Sequence, residues 1–350
     1  MDKLRIGVIG TGSLGTDHIE RFTERIYNAE VTALYDVFPK EGKFAARYEK
    51  SYMDVANAKD VDAIILTTPN NTHEQIMMDL VKVGKPIFCE KPLTNTAEGC
   101  KRIIDEEMKA SKPFIQVGFM RRFDPDYNVM YNELRKPDYL GKILMMHSQH
   151  RSGQGGIETK GPRIGGIKVE GTFEEVSKQT IPDGPIHDID TCRWLMNDPD
   201  DHYESALTIW PIKSKYCTVS QRPAFYILKT KKGVMVTVES SGGFHGQYDI
   251  NLEVVCDDGV INFPSFQQPR IRRDGKDGVS CPLNHLLRFK TAFDIELQKW
   301  VDGVLAGSYV NGASAWDAYI NCCATDALAR SIDSKDFEMC EFSETPSFYK

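Results

Sequence analysis

The stretch GVIGTGSLG, residues 7–15, decides how this chain is to be read. Gly10, Gly12 and Gly15 stand at G-x-G-x-x-G spacing, with Thr11, Ser13 and Leu14 between them. Alone the spacing is a weak signal, but its context is strong. LRIGVIG before it is a short apolar strand. SLGTDHIERFTERIY after it carries Leu14, Phe22 and Ile26 at helical intervals, and the next strand, VTALYD, ends on Asp36. A strand, a glycine turn, a helix and a later acid make up a dinucleotide-binding fingerprint. The glycines let the backbone approach a pyrophosphate, and the helix N-terminus favours its charge. Asp36 accepts bonds from the adenosine ribose hydroxyls and repels a 2′-phosphate, so the expected cofactor is NAD rather than NADP.

Outward from this motif, strand-like and helix-like segments alternate. VDAIILTT is fully apolar, as a buried parallel strand is. HEQIMMDLVKVG is a helix ending at Gly84, a C-terminal cap. PIFCE, TAEGCKRIIDEEMKA and FIQVGF continue the alternation. This spacing predicts right-handed β-α-β units and a doubly wound parallel sheet over residues 1–122. Beyond Phe119 the texture changes. KILMMHSQH, ALTIWPI, AFYILKT, GVMVTVESS and INLEVVC read as strands of a large, open, mainly antiparallel sheet, placing a second α/β domain at 123–350. Residues 151–178 are rich in Gly, Lys and Glu and read as a long arm or loop. A helix near 313–331 is expected to pack back on the first domain.

Bulk properties exclude several function classes. The chain has 350 residues, 41% hydrophobic and 27% charged, with a formal net charge of −7, enough for more than one core. The acidic balance, with no Lys/Arg tract, argues against a nucleic-acid partner. No apolar run approaches a membrane span, and MDKLRIGVIG does not read as a signal peptide. Nine scattered cysteines without a C-x-x-C pair fit buried thiols in a reducing compartment, so a cytoplasmic location is expected.

Two further motifs carry chemistry. CEKPL places Glu90, Lys91 and Pro92 at the end of a central strand, where ligands of open α/β sheets bind. Near a cationic nicotinamide the ammonium of Lys91 is disfavoured, which suits it to donate or relay a proton. In IPDGPIHDIDTCRWL, residues 181–195, Asp183, His187 and Asp190 are four and three apart, one stripe of a helix that starts near Asp183 or Gly184. A carboxylate beside an imidazole holds its tautomer and raises its basicity, the arrangement of a general base with an orienting partner.

Taken together, GVIGTGSLG, CEKPL and DGPIHDID resemble the glucose-fructose oxidoreductase / inositol dehydrogenase / rhizopine-catabolism (Gfo/Idh/MocA) family. FCEKPLTNTAEGCKRIIDEE, QVGFMRRFDPDY, MHSQHR, SAWDAYI and PSFYK bring the likeness closest to its NAD-dependent inositol dehydrogenases. The resemblance runs nearly end to end. It implies an N-terminal Rossmann domain and a C-terminal domain whose open sheet joins subunits, here as a homotetramer. It implies Lys91, Asp183 and His187 as the catalytic set. Met120 and Arg121 match positions lining the cofactor–substrate cleft, and Asp190 and Tyr248 match positions touching inositol hydroxyls. Thr68, Pro69 and His73 of TTPNNTHE, with Glu90, match the nicotinamide side of the cofactor site. The implied reaction oxidises one ring hydroxyl of scyllo- or myo-inositol to the inosose with NAD. Two departures touch the substrate end: the longer stretch between Arg151 and Asp183, and Gly246 where myo-inositol enzymes carry an aromatic residue.

Alternatives stay open at this point. Another cyclic polyol or an aldose fits the same motifs, and a non-catalytic NAD-sensing regulator shares the fold. No metal is expected: His147 and His150 lie three apart on a strand and so face opposite sides. His18 reads as structural and RIRRDGK as a solvated turn.

Overall fold

The computed structural model describes residues 3–153, 163–164, 167–168, 172–210, 223–244, 248–263, 270–274, 276–279 and 282–350. Its contacts divide the chain into two units. One comprises Met1–Met120, Ala292–Cys322 and Phe342–Lys350, the other Arg121–Thr291 and Cys323–Glu341. Two later segments, 292–322 and 342–350, thus belong to the first unit.

The first unit begins β1 (Leu4–Ile9), α1 (Ser13–Glu24), β2 (Ala29–Tyr35), β3 (Arg47–Tyr48), α2 (Tyr52–Asn57), β4 (Ala63–Leu66), α3 (Asn70–Leu80), β5 (Ile87–Glu90), α4 (Ala97–Glu107) and β6 (Ile115–Gly118). The second unit carries α5 (Pro125–Glu133), β7 (Ile143–Gly153), β8 (Arg163–Ile164), β9 (Ile167–Lys168), α6 (Phe173–Thr180), α7 (Ile186–Met196) and β10 (Tyr203–Ile209). There follow β11 (Ala224–Thr230), β12 (Met235–Phe244), β13 (Asp249–Cys256), β14 (Gly259–Asn262), β15 (Arg270–Arg273), β16 (Lys276–Val279) and α8 (His285–Arg288). The chain ends through α9 (Lys290–Ala306), β17 (Ala313–Ser314), α10 (Ala315–Ser334) and β18 (Glu338–Met339).

In the first unit seven strands lie in the order β17-β6-β5-β4-β1-β2-β3, parallel except for β17 on β6. Strand order reverses between β1 and β4, the switch point of a doubly wound sheet, and the glycine loop leaves β1 there. Every residue of β4 and β5 is buried, as the two-sided cover of a parallel strand requires. One face of the sheet packs Ile6, Val8 and Phe88 against Ile19 and Phe22 of α1 and Leu297, Trp300 and Val301 of α9. Gly84 ends the α3 segment at φ +74°, where a side chain would be strained.

The second unit is built on a sheet ordered β14-β13-β7-β12-β11-β10-β18. It is mixed, because β7 and β12 pair in parallel while their other neighbours are antiparallel. Burial alternates along β11 and β13, one face covered and one open. The stretch expected as an arm, 151–178, includes β8, β9 and the start of α6 among its described residues. Arg151–Gly153 extend β7, and the arm runs into α6, which opens with a reciprocal Thr172–Glu175 capping box. Gly246 and residues 154–162 of the arm lie outside the described residues. Among the described residues, no helix is long and apolar enough to cross a membrane.

Candidate active site

In the first unit, the glycine loop has the form expected of a phosphate cradle. Gly10 sits at φ +95°, and a Cβ there would meet the Thr67 carbonyl carbon at 2.8 Å. A Cβ on Gly15 would lie 2.0 Å from the Gly10 carbonyl oxygen, so only glycine lets α1 start this close to the strand. At Gly12 a Cβ would meet nothing within 4 Å, which leaves the open space a pyrophosphate needs. No side chain caps the N-terminus of α1, and its first turn has no acidic residue. The amides of Ser13 and Leu14 are thus placed to receive an anion. Asp36 follows β2 and accepts from the Thr11 amide at 2.6 Å and the Phe38 amide at 2.9 Å. These two bonds fix the carboxylate beside the loop. The residues fit NAD: Gly10, Gly12 and Gly15 with the α1 amides for the pyrophosphate, and Asp36 for the ribose.

The ends of β4 and β5 form the other side of this cradle. His73, expected beside the nicotinamide ribose, is fully buried, and each ring nitrogen lies beside a backbone carbonyl, to one of which the neutral ring donates. Nδ1 lies 2.8 Å from the Pro92 oxygen and Nε2 2.8 Å from the Thr68 oxygen. It links the Thr68 and Pro92 loops. Burial lowers its pKa, against the pull of the two carbonyls. The Thr72 hydroxyl donates to the Thr68 hydroxyl, and Pro69 precedes the first turn of α3. Glu90, also expected to touch the cofactor, is buried and turned inward. Its carboxylate lies 2.8 Å from His18 Nε2 and accepts from the Lys91 amide at 3.3 Å. Lys91 itself is half-buried and joined to Pro92 by a cis peptide bond. Met120 is buried.

In the second unit, α7 differs from the helix expected. It begins at Ile186, with Pro185 as its N-cap residue. Pro182 and Pro185 lack amide donors, so residues 181–185 form a turn after α6 and the first helical bonds run to the Pro185 carbonyl. Asp183, half-buried, therefore approaches from the turn, while His187 and Asp190 share the helix. Residues 186–192 are all buried, which is why this segment shows so little amphipathic pattern. His187 is 7% exposed and its carbonyl accepts from Thr191. Asp190, expected to touch a substrate hydroxyl, has both carboxylate oxygens on Arg122, at 2.6 and 2.9 Å.

The residue that the sequence did not reveal is Asp188. It is 0% exposed and stands at the centre of a polar cluster. Arg121 Nη1 donates to it at 2.7 Å, the Ser148 hydroxyl at 2.7 Å, and His150 Nδ1 lies at 3.0 Å. Burial alone would push its carboxyl up. The Arg121 guanidinium, with His150 and Ser148, outweighs that and holds it well below the usual carboxylate range. Tyr248 packs edge-on to His150 with ring centroids 5.6 Å apart, so the cluster gathers Arg121 and Tyr248, two of the expected cleft residues. His147 faces the other side of β7 and bonds Thr237. Among the described residues no group of three or more His, Cys, Asp or Glu is arranged to hold a metal.

Comparison with known proteins finds relatives over nearly the whole chain. The model of the GFO/IDH/MocA oxidoreductase family, NAD-binding Rossmann fold, matches residues 4–119, and the model of that family's C-terminal domain matches 132–262. An inositol 2-dehydrogenase/D-chiro-inositol 3-dehydrogenase of Shouchella clausii is 35% identical over 99% of this chain and 97% of its own length. An inositol 2-dehydrogenase of Burkholderia vietnamiensis is 34% identical over 99% of both chains. Among solved structures, myo-inositol dehydrogenase from Lactobacillus casei, in complex with NAD(H) and myo-inositol, superposes with a TM-score of 0.87. It shares 29% identity, covering 99% of this chain and 100% of that one.

Proposed function

The chain belongs to the GFO/IDH/MocA family of oxidoreductases with an NAD-binding Rossmann fold, and from that premise we propose that it oxidises one ring hydroxyl of an inositol to the inosose. The observation that carries the reading is the full-length likeness to inositol 2-dehydrogenases, and the sequence carries Lys91, Asp183 and His187 for the chemistry. When bound, the nicotinamide supplies the hydride acceptor, which no side chain of the chain provides. His187 takes the hydroxyl proton as the O–H bond breaks, and Asp183 orients the imidazole. Lys91 donates a hydrogen bond to the same oxygen as charge develops on it. Met120, Arg121, Asp190 and Tyr248 belong to the substrate end. Of these, Arg121 and Asp190 act through the ion pairs that hold them, with Asp188 and Arg122.

Asp36 makes NAD the cofactor in preference to NADP, by repelling a 2′-phosphate. We assign the open face of the second unit's sheet to self-association as a homotetramer. It presents Met145, Ile209, Phe225 and Met339, each more than a third exposed. All seven described cysteines are buried thiols, in keeping with a reducing, cytoplasmic setting.

The test is NAD reduction with myo-inositol, scyllo-inositol, D-chiro-inositol and glucose in turn, followed by absorbance. Turnover with myo- or scyllo-inositol is the expected result. Turnover with glucose alone moves the assignment to an aldose dehydrogenase, and tight NAD binding without turnover of any polyol moves it to a sensor.

A further inference from the structure

Behind Lys91, within the first unit, lies a group of ionisable side chains that the reaction does not itself require. His18 on α1 is fully buried and its Nε2 lies 2.8 Å from Glu90 Oε1. The other Glu90 oxygen accepts the Lys91 amide. On the far side, His18 Nδ1 is 3.7 Å from Asp17, and Asp17 is bound by Arg21, which also reaches Asp294 on α9. Phe88 and Phe293 wall the imidazole, with ring centroids 6.1 and 5.7 Å away. Gly118 on β6 makes room for the Glu90 carboxyl, since a Cβ there would stand 3.0 Å from it. The result is a chain of contacts, Arg21–Asp17–His18–Glu90, that ends on the backbone of Lys91.

We propose that His18 and Glu90 are a positioning pair for Lys91, fixing the direction in which its side chain leaves the end of β5. Glu90 is the last residue of that strand, and its carboxylate folds back onto the next amide. Left alone, a buried carboxylate is unfavourable and would seek another partner. His18 holds it in place, and α1 in turn holds His18. A buried pair is a weak source of net stability, but a side chain that must meet a reacting oxygen loses much of its effect when displaced by 1 Å. The electrostatics agree. Burial opposes charge on His18, but hydrogen bonds and charge from Asp17 and Glu90 outweigh it and raise its pKa. Asp17, beside His18 and Arg21, is held down to about 2.

The inference rests on the role given to Lys91, so the experiment carries Lys91→Ala as its reference. The whole chain is assayed with NAD and its best inositol, and the NAD dissociation constant is measured separately by fluorescence. His18→Ala is expected to lower kcat by about 10- to 100-fold, leaving KM and the NAD dissociation constant unchanged. His18→Gln, whose amide still reaches Glu90, recovers most of the loss. In the Lys91→Ala background, His18→Ala adds nothing further. Full kcat in His18→Ala beside an inactive Lys91→Ala overturns the proposal, and so do losses that add across the double variant. Lys91→Ala with undiminished turnover instead overturns the role given to Lys91. If His18→Ala does not fold, His18→Asn, too short to reach Glu90, replaces it in the comparison with His18→Gln.

Discussion

Replacing Asp188 by Asn should cost the second unit more stability than almost any other single isosteric change. Asp188 is wholly buried and takes three donors, Arg121, Ser148 and His150. Arg121 is itself 1% exposed. An asparagine keeps the shape but leaves a buried guanidinium without its counter-charge, and its NH2 group must face a donor. Breaking a buried pair from one side costs about 3–5 kcal/mol. For a unit of this size each kcal/mol is worth roughly 2–4 °C, so its thermal transition should fall by roughly 6–20 °C. Urea and thermal unfolding can be followed by tryptophan fluorescence, since Trp194 lies on the same helix. The double variant Arg121→Met/Asp188→Leu removes both charges and should regain part of the loss. An Asp188→Asn variant within about 1 kcal/mol of the parent, or a double variant worse than the single, would refute the reasoning.

Other expectations follow from the same geometry. His187→Ala should lower kcat by roughly 10²–10⁴-fold with NAD affinity kept, as read by steady-state kinetics beside fluorescence titration; unchanged turnover removes His187 from the reaction. Gly15→Ala forces a methyl against the Gly10 carbonyl, costing about 1–3 kcal/mol, and should weaken NAD binding in a calorimetric titration. Asp36→Ala loses a charged acceptor worth about 1.5–3 kcal/mol, so the NAD dissociation constant rises tenfold or more while NADP is no longer disfavoured. Asp17 is held at about 2, below its ordinary value of 3.8. The stability it contributes is therefore complete above pH 4 or so and is lost as pH falls toward 2, and Asp188 behaves in the same sense. Asp17→Asn should flatten the acid limb of a stability–pH curve measured with urea.

Much of the first unit could be read from periodicity alone. The central strands β1 and β4 are apolar runs, and Gly10 and Gly15 have a steric reason that the spacing announces. The site was less legible, because an ionisable stripe shows which residues share a face but not which partners are already taken. Asp188 stood off the stripe of Asp183, His187 and Asp190, and its partners come from β7 and from Arg121, far away in sequence. His73 and Glu90 lie beside the cofactor motifs in sequence, and only the fold shows that they meet backbone carbonyls and His18. His18 read as structural, and only the fold shows what it bonds. For α6 a signal was present, since Thr172 followed three residues later by Glu175 is a capping box.

The three-segment make-up of the first unit also bears on how the chain is born. β6 is complete by Gly118, but β17, which covers its edge, comes from Ala313–Ser314, and Trp300, packed against Phe88, comes from α9. A ribosome must deliver roughly two hundred more residues, on the order of ten seconds or more of synthesis, before the sheet has its last strand. Until then the edge of β6 and the apolar face around Phe88 stand open to other nascent chains. The half of the molecule that is made first is thus among the last to be finished. A fragment cut after β6, although it contains the whole glycine loop, should aggregate rather than bind nucleotide as a module.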